Sequence, residues 1–295
     1  MTILEALNWG QAQLKSTLHE KTDSEPNPML ESQILLSHIL DKPTSYLFAH
    51  FEDPLRPDHV DQYQRLIERR MCHEPIAYLL GRRDFYGRTF RVNSFVLIPR
   101  PETEHLLDAA LRVLTDRSIA VDLGTGSGAI AVSLAAERSE PVIAVDIDDR
   151  SLRIAEVNAR DHGVDHLVSF LHGNLLEPIM ERASHGSEDH MVIAANLPYL
   201  RQRQWELIDP DVRDYEPKHA LTAGVDGLDV YDALFSQISV HRKRLPRVLD
   251  LFLEIDPSQK RGMHMLIGEY FPDATISSQD DLAGMPRLVH VNITR

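Results

Sequence analysis

Residues 122–128 read Asp-Leu-Gly-Thr-Gly-Ser-Gly and follow directly on the apolar run 119–121. Three glycines at alternate positions let a backbone turn sharply out of a strand, and without Cβ atoms it can come close to a ligand. A turn of this kind needs a strand before it and a helix after it. From 119 onward the pattern repeats that order, predicting strands over 119–123, 142–146, 167–171, 191–195, 248–255, 274–278 and 288–293. Helical spacing fills 127–137, 149–162, 228–241 and 257–270. Alternation of this sort predicts an α/β fold, a mostly parallel seven-stranded sheet covered on both faces.

Upstream the period is different. Ile3, Leu4, Leu7, Leu14 and Leu18 recur at helical spacing, and so do Leu30, Ile34, Leu35, Ile39 and Leu40. Between them Glu25-Pro26-Asn27-Pro28 reads as a stop, a cap and a first-turn proline. Over 81–98 the aromatic and β-branched residues Phe85, Tyr86, Phe90, Val92, Phe95, Val96 and Ile98, interleaved with Gly87 and Asn93, signal a hairpin. The prolines at 99 and 101 stiffen the approach to a helix over 105–114, with Glu102 and Glu104 in its first turn, where the dipole favours acids. A chain of 295 residues is long enough for two cores. The expected division is a small helical bundle over 1–80, a hairpin linker over 81–98 and an α/β domain over 99–295.

Composition narrows the function. A hydrophobic share of 43% with 26% charged residues is that of an ordinary globular protein. The formal charge of −14 argues against broad binding of a phosphate backbone, which requires a basic surface to displace counterions. The clusters Arg69-Arg70 and Arg242-Lys243-Arg244 read as solvated helix ends. The lone Cys72 excludes an internal disulfide and any multi-cysteine zinc site, and reads as a packed or idle thiol. The fifteen histidines show no ligand spacing, so no metal is expected and they read as scattered surface residues. The first ten residues lack the marks of a secretory or organellar leader, and no segment approaches a membrane span, so a cytoplasmic location is expected.

The turn alone does not name its ligand. Gly124, Gly126 and Ala129 satisfy a dinucleotide fingerprint, and Asp146 ends the next strand, where an acid binds ribose hydroxyls. Nicotinamide and S-adenosylmethionine readings both survive to this point. The tighter spacing of Gly124, Gly126 and Gly128, with Thr125 and Ser127 between them and Asp122 ahead, favours the second. There the loop wraps the methionine part, Asp146 holds the ribose and Asp122 faces the cationic end. Asn174, following the third strand, is placed to read an adenine amino group.

A second strand, 191–195, ends in Asn196-Leu197-Pro198-Tyr199. An amide nitrogen is a poor nucleophile because its lone pair is delocalised into the carbonyl, so methylating it is a problem of positioning. The Asn196 side-chain oxygen and the Leu197 carbonyl can each accept one amide N–H and aim the nitrogen at a methyl group. Pro198 stiffens the turn and Tyr199 offers a wall for a planar group. An exocyclic adenine amine poses the same geometric problem, so an amino-methyltransferase acting on nucleic acid is the second reading. A nicotinamide oxidoreductase and a non-catalytic binding module rank below both.

With these motifs the chain resembles the peptide chain release factor N5-glutamine methyltransferases over nearly its whole length. The resemblance rests on Glu74 to Leu79 with Gly81, on Leu97-Ile98-Pro99-Arg100-Pro101-Glu102-Thr103-Glu104, on the glycine turn and on Asn196 to Tyr199. It continues through Ala220-Leu221, Gly224, Asp226-Gly227-Leu228, Leu253-Glu254-Ile255, Gln259, Asp281-Leu282-Ala283-Gly284 and Arg287. The Pro-Arg-Pro-Glu-Thr-Glu stretch separates it from the related ribosomal-protein enzymes. The resemblance implies a Rossmann-like class I methyltransferase domain using S-adenosylmethionine, and an N-terminal helical domain that helps hold the release factor. The implied substrate is the glutamine of a Gly-Gly-Gln loop. By position it implies cofactor contacts at 124–128, Asp146, Asn174, Leu175 and Asn196, an amide clamp at Asn196, Leu197, Pro198 and Tyr199, and closure of the pocket by 100–104, including Arg100 and Glu102. Three positions depart from the family pattern: Leu197 stands for a proline, Asn174 for an aspartate and Asp256 for a glycine. A monomer is expected, with a protein as substrate and neither membrane nor long nucleic acid as partner.

Overall fold

A computed structural model describes residues 1–17, 27–182, 189–281 and 283–295; Leu18, Glu25, Pro26 and Leu282 lie outside the described residues. Along the chain come helices α1 (Ile3–Thr17), α2 (Pro28–Leu40), α3 (Thr44–Ala49), α4 (Pro57–Met71) and α5 (Ile76–Leu80), then strands β1 (Arg82–Phe85) and β2 (Arg88–Arg91). There follow α6 (Thr103–Val113), β3 (Ser118–Leu123), α7 (Ala129–Arg138), β4 (Val142–Asp146), α8 (Asp149–Asp161), β5 (Val168–His172), α9 (Glu177–Arg182) and β6 (His190–Ala195). The last are α10 (Pro210–Arg213), α11 (Asp229–His241), β7 (Val248–Glu254), α12 (Lys260–Tyr270), β8 (Thr275–Asp280) and β9 (Pro286–Thr294). Two compact units share them: Met1–Arg82 with Ile208–Tyr215, and Arg83–Leu207 with Glu216–Arg295. No described helix is long and apolar enough to cross a membrane.

The first unit closes a helical core around Leu7, Leu14, Leu35, Leu36, Tyr63 and Ile67. Asn27 caps α2 by accepting the Leu30 N–H at 3.1 Å, and Pro28 sits where its missing N–H costs nothing. Leu4 and Leu30, which share the helical spacing, nevertheless face solvent. Gly10 on α1 makes room for Tyr63, since a Cβ there would lie 2.0 Å from the phenolic oxygen. Arg70 departs from the expectation of a solvated helix end. It is 4% exposed, and its guanidinium meets Glu31 at 2.9 Å and Asp211 at 2.8 Å. A buried cation needs such partners, and these help hold 208–215 in this unit, together with the Tyr215 hydroxyl donating to the Cys72 carbonyl at 2.7 Å. Cys72 itself ends α4 and is exposed.

The second unit is built on one sheet of strand order β5-β4-β3-β6-β7-β9-β8, with β9 antiparallel to both β7 and β8. Alternation along each strand sorts the side chains. Val121, Leu123, Ile193 and Leu251 pack with Tyr231, Phe235, Met263 and Ile267 on one face. Ala120, Ala144, Val192 and Ala194 pack with Leu107, Ala131 and Ala135 on the other, where small residues let α7 approach the sheet closely. The order of the strands reverses between β3 and β6, whose neighbouring ends Leu123 and Ala195 are in register. That is the switch point at which open α/β sheets bind ligands. Several boundaries differ from the spacing by a few residues, and two bear on the site. Helix α7 begins at Ala129 because Gly128 holds a left-handed φ of 82°, and the hairpin ends at Arg91, leaving 92–98 as irregular chain.

Candidate active site

The glycine turn hangs from β4 by two backbone bonds, Gly124 N–H and Thr125 N–H both donating to the Val145 carbonyl at 2.9 and 3.0 Å. Gly124, Gly126 and Gly128 all have positive φ, so the sequence placed glycine where side chains would strain the chain. A Cβ at Gly128 would also meet Ala155 at 3.0 Å, and one at Gly124 would meet Leu197 Cδ2 at 3.0 Å. Beneath the turn Asp122 is fully buried. Its Oδ2 accepts from Thr125 Oγ1 at 2.6 Å and from the Ala131 N–H at 3.0 Å, while its Oδ1 has no hydrogen-bond partner among the described residues. Burial outweighs those two bonds and lifts its pKa to about 7.

A cavity of about 260 Å³ opens above the turn, lined mostly by apolar groups. Gly124, Gly126, Asp146, Asn174, Leu175 and Asn196 are among its walls, and no lysine or arginine among the described residues is. Asp146 ends β4 with both oxygens engaged, accepting from Gly126 N–H at 2.8 Å and Asp148 N–H at 2.9 Å. Burial raises its pKa as well. Leu175 lines the same cavity with a positive φ of 54°, a backbone state that costs a leucine energy and clusters at ligand sites.

Most backbone donors of this turn are engaged within the protein, those of Gly124 and Thr125 by the Val145 carbonyl and that of Gly128 by the Thr125 carbonyl. A dinucleotide places its pyrophosphate on free N–H groups at the helix start. Here Gly126 N–H goes to Asp146 and Ala131 N–H to Asp122. Acids around a turn whose donors are already engaged suit a cationic ligand, and a cradle that a Cβ at Gly124 would narrow suits one held tightly. The residues present therefore fit S-adenosylmethionine better than a nicotinamide dinucleotide.

Asn196 follows β6 into the same cavity, with Leu197 and Pro198 beside it. Its side chain is held from behind. Asn196 Nδ2 donates to Thr103 Oγ1 at 3.0 Å, and Thr103 Oγ1 donates to Glu254 Oε2 at 2.7 Å. Tyr199 turns its hydroxyl toward Glu254 Oε1 at 3.4 Å, and Gln259 Nε2 donates to the Tyr199 carbonyl at 2.7 Å. Gln259 is itself fixed in a capping box with Asp256. Asp256 thus works as a cap, its carboxylate accepting the Ser258 N–H at 2.9 Å.

Residues 5–81 match the family described as PrmC N-terminal domain, and residues 103–204 that described as Methyltransferase small domain. The release factor glutamine methyltransferase of Bacillus anthracis is 33% identical over 99% of this chain and 100% of its own length. That of Bacillus subtilis (strain 168) is 35% identical over 99% of both chains. The chain belongs to the release factor glutamine methyltransferases. Among solved structures, the hMettl16 catalytic domain in complex with a MAT2A 3′UTR hairpin has a TM-score of 0.55 at 15% identity. It covers 73% of this chain and 80% of that one, a likeness of fold.

Within this member of the family the two sequence motifs lie on adjacent strand ends and share one cavity. Gly124, Gly126, Asp146, Asn174, Leu175, Asn196, Leu197 and Pro198 line it. Asp122 does not face it and lies under the turn, with Thr125 hydrogen-bonded to it. Ser127 is buried and Gly128 packs on Ala155, so both shape the turn from inside. Arg100 is paired with Glu216, which also accepts the Ile98 N–H at 3.0 Å, and so braces 98–100. Glu102 is exposed ahead of α6. The motifs did not single out Phe95, Ile147, His219 or Val230, which also line the cavity, nor the support that Thr103 and Glu254 give to Asn196. A glutamate at the end of the apolar run 248–255 was the available signal, because a charge there is buried by the strands beside it.

Proposed function

We propose that this chain methylates the side-chain amide nitrogen of the glutamine in the Gly-Gly-Gln loop of a peptide chain release factor. S-adenosylmethionine, when bound, supplies the methyl group from its sulfonium centre. The observation that carries the reading is that Asn196 and the glycine turn open onto the same cavity from neighbouring strands. Gly124 and Gly126 cradle the cofactor, Asp146 takes its ribose and Asn174 with Leu175 its base. Asn196 Oδ1 and the Leu197 carbonyl accept the two amide hydrogens, which turns the nitrogen toward the cofactor and holds it there. Holding two reactants in line supplies a large part of a barrier reduction, so no strong base is needed before transfer. Pro198 and Tyr199 wall the planar amide, and Arg100 and Glu102 help close the entrance.

The helical domain over 1–80, joined by 81–98 to the catalytic domain over 99–295, is the part that grips the release factor. The chain acts as a monomer in the cytoplasm, and its charge of −14 keeps long nucleic acid away.

The test is mass spectrometry of a bacterial release factor after incubation with the enzyme and S-adenosylmethionine. A gain of one methyl group on the Gly-Gly-Gln glutamine is expected, and methylation of an oligonucleotide in its place would refute the reading. In the same assay Asn196→Ala should lose roughly 100-fold or more in turnover, the scale of removing a group that aligns the reacting atoms, with cofactor affinity kept.

A further inference from the structure

We infer that Thr103 and Glu254 form a polarity relay that fixes which end of the Asn196 carboxamide faces the substrate. The inference rests on the amide-clamp reading above and adds two positioning residues to it. Thr103 is 4% exposed and Glu254 3% exposed, and the three side chains are linked by bonds of 3.0 and 2.7 Å.

The direction of the relay follows from counting protons. A threonine hydroxyl carries one proton, and both Glu254 oxygens are acceptors here, Oε2 from Thr103 and Oε1 from Tyr199. Thr103 therefore gives its proton to Glu254 Oε2, and what remains toward Asn196 is a lone pair. A lone pair can be met only by the NH₂ end of the carboxamide, and Asn196 Nδ2 is the atom found there. Oδ1 then points away from Thr103, leaving an acceptor on a side chain that lines the cavity.

Without the relay this choice is open. The two ends of an asparagine are nearly the same size, so rotating the group by half a turn costs little unless its hydrogen bonds differ. A reversed Asn196 would present N–H groups to the N–H groups of a substrate amide, and the clamp would repel what it must hold. The relay thus selects a substrate that donates hydrogen, a primary amide or amine, over one that only accepts. Glu254 is fixed for the task by more than Thr103. The Tyr199 hydroxyl reaches its other oxygen, and the Tyr231 hydroxyl donates to its backbone carbonyl.

Steady-state methylation of a bacterial release factor, with cofactor affinity from calorimetry and a melting curve for each variant, tests this. Thr103→Val keeps the shape and removes both hydrogen-bonding roles. It should lower kcat about tenfold or more, as expected for loss of alignment, with cofactor affinity unchanged. Thr103→Ser keeps the hydroxyl and should restore kcat to within about threefold of wild type, the residue being spatial only. Glu254→Met frees the threonine proton to bond Asn196 Oδ1 and should lower kcat as T103V does. Unchanged kcat in T103V or E254M overturns the relay, as does a loss that T103S shares or one matched by lost cofactor affinity. Should T103V and E254M not fold, the wild-type enzyme decides. Its Asn196 side-chain N–H signals, assigned by their loss in N196A, must exchange with solvent more slowly than those of free asparagine, and equal exchange overturns the relay. A wild-type enzyme that leaves the glutamine unmethylated refutes the substrate reading, while the exchange measurement still judges the relay.

Discussion

Strand β7 carries two buried acids four positions apart, and they are treated in opposite ways. Asp250 accepts hydrogen bonds from His190 at 2.8 Å, His290 at 2.6 Å and Asn292 at 2.9 Å. Burial would push its carboxyl up, but these three donors more than offset it and bring its pKa down to about 2. Glu254, at the strand's other end, is pushed up by burial, and bonds from Thr103 and Tyr199 with the nearby Arg287 charge only partly counter it. Both are under a tenth exposed, so burial alone does not separate them. The donors do. Asp250 is satisfied within the sheet and holds β6, β7 and β9 together, whereas Glu254 is left with hydroxyl partners that it can orient. An acid held by donors on the neighbouring strands serves the architecture, and one held by the hydroxyls behind the Asn196 side chain serves the site.

The largest effect that would break this contrast is on stability. Asp250→Ala strands three donors inside the sheet and should cost on the order of 3 kcal/mol in urea unfolding, with turnover per folded molecule kept. If instead D250A loses activity at unchanged stability, the two acids do not divide the work in this way. The pH dependence sharpens the same point. The folded pKa of Asp250 lies below its ordinary 3.8, so the unfolded chain binds the extra proton and stability rises with pH. The stabilisation from Asp250 is complete above that ordinary value and is lost as pH falls toward about 2. The gap in stability between wild type and D250A should shrink over that window, and a constant gap would count against the assignment.

Much of this was legible in the chain and some was not, for physical reasons. Strands and helices of the α/β part could be read because apolar periodicity reports burial directly, and 142–146 matches β4 at both ends. Glycines 124, 126 and 128 marked their turn because positive φ selects for them. Leu175 has the same backbone sign and gave no mark, since a leucine carries no trace of the strain it accepts. His190 and His290 read as scattered surface residues, yet both lie partly buried on Asp250. Their meeting depends on strand order, which spacing does not encode. The same holds for Thr103, 151 positions from Glu254, and for Arg70, whose partner Asp211 comes from a segment far along the chain.

A third buried acid gives the smallest and most specific test. Asp122 lies on β3 at the cavity end, so the contrast places it with Glu254: burial lifts its pKa, here to about 7, and one oxygen has no partner among the described residues. Its sign is opposite to that of Asp250. Between the ordinary 3.8 and about 7 the folded protein keeps a proton that the unfolded chain has lost, so stability falls as pH rises through that interval. Asp122→Asn cannot ionise, but its Oδ1 can still accept from Thr125 and Ala131, so the turn keeps its shape. Relative to D122N, wild type should lose about 1 kcal/mol between roughly pH 6 and 7, read from urea midpoints at the two values. Parallel pH profiles for the two proteins would mean that Asp122 is ionised throughout that interval, and that a buried acid at the ligand end of the sheet can be as well satisfied as the one at the far end of β7.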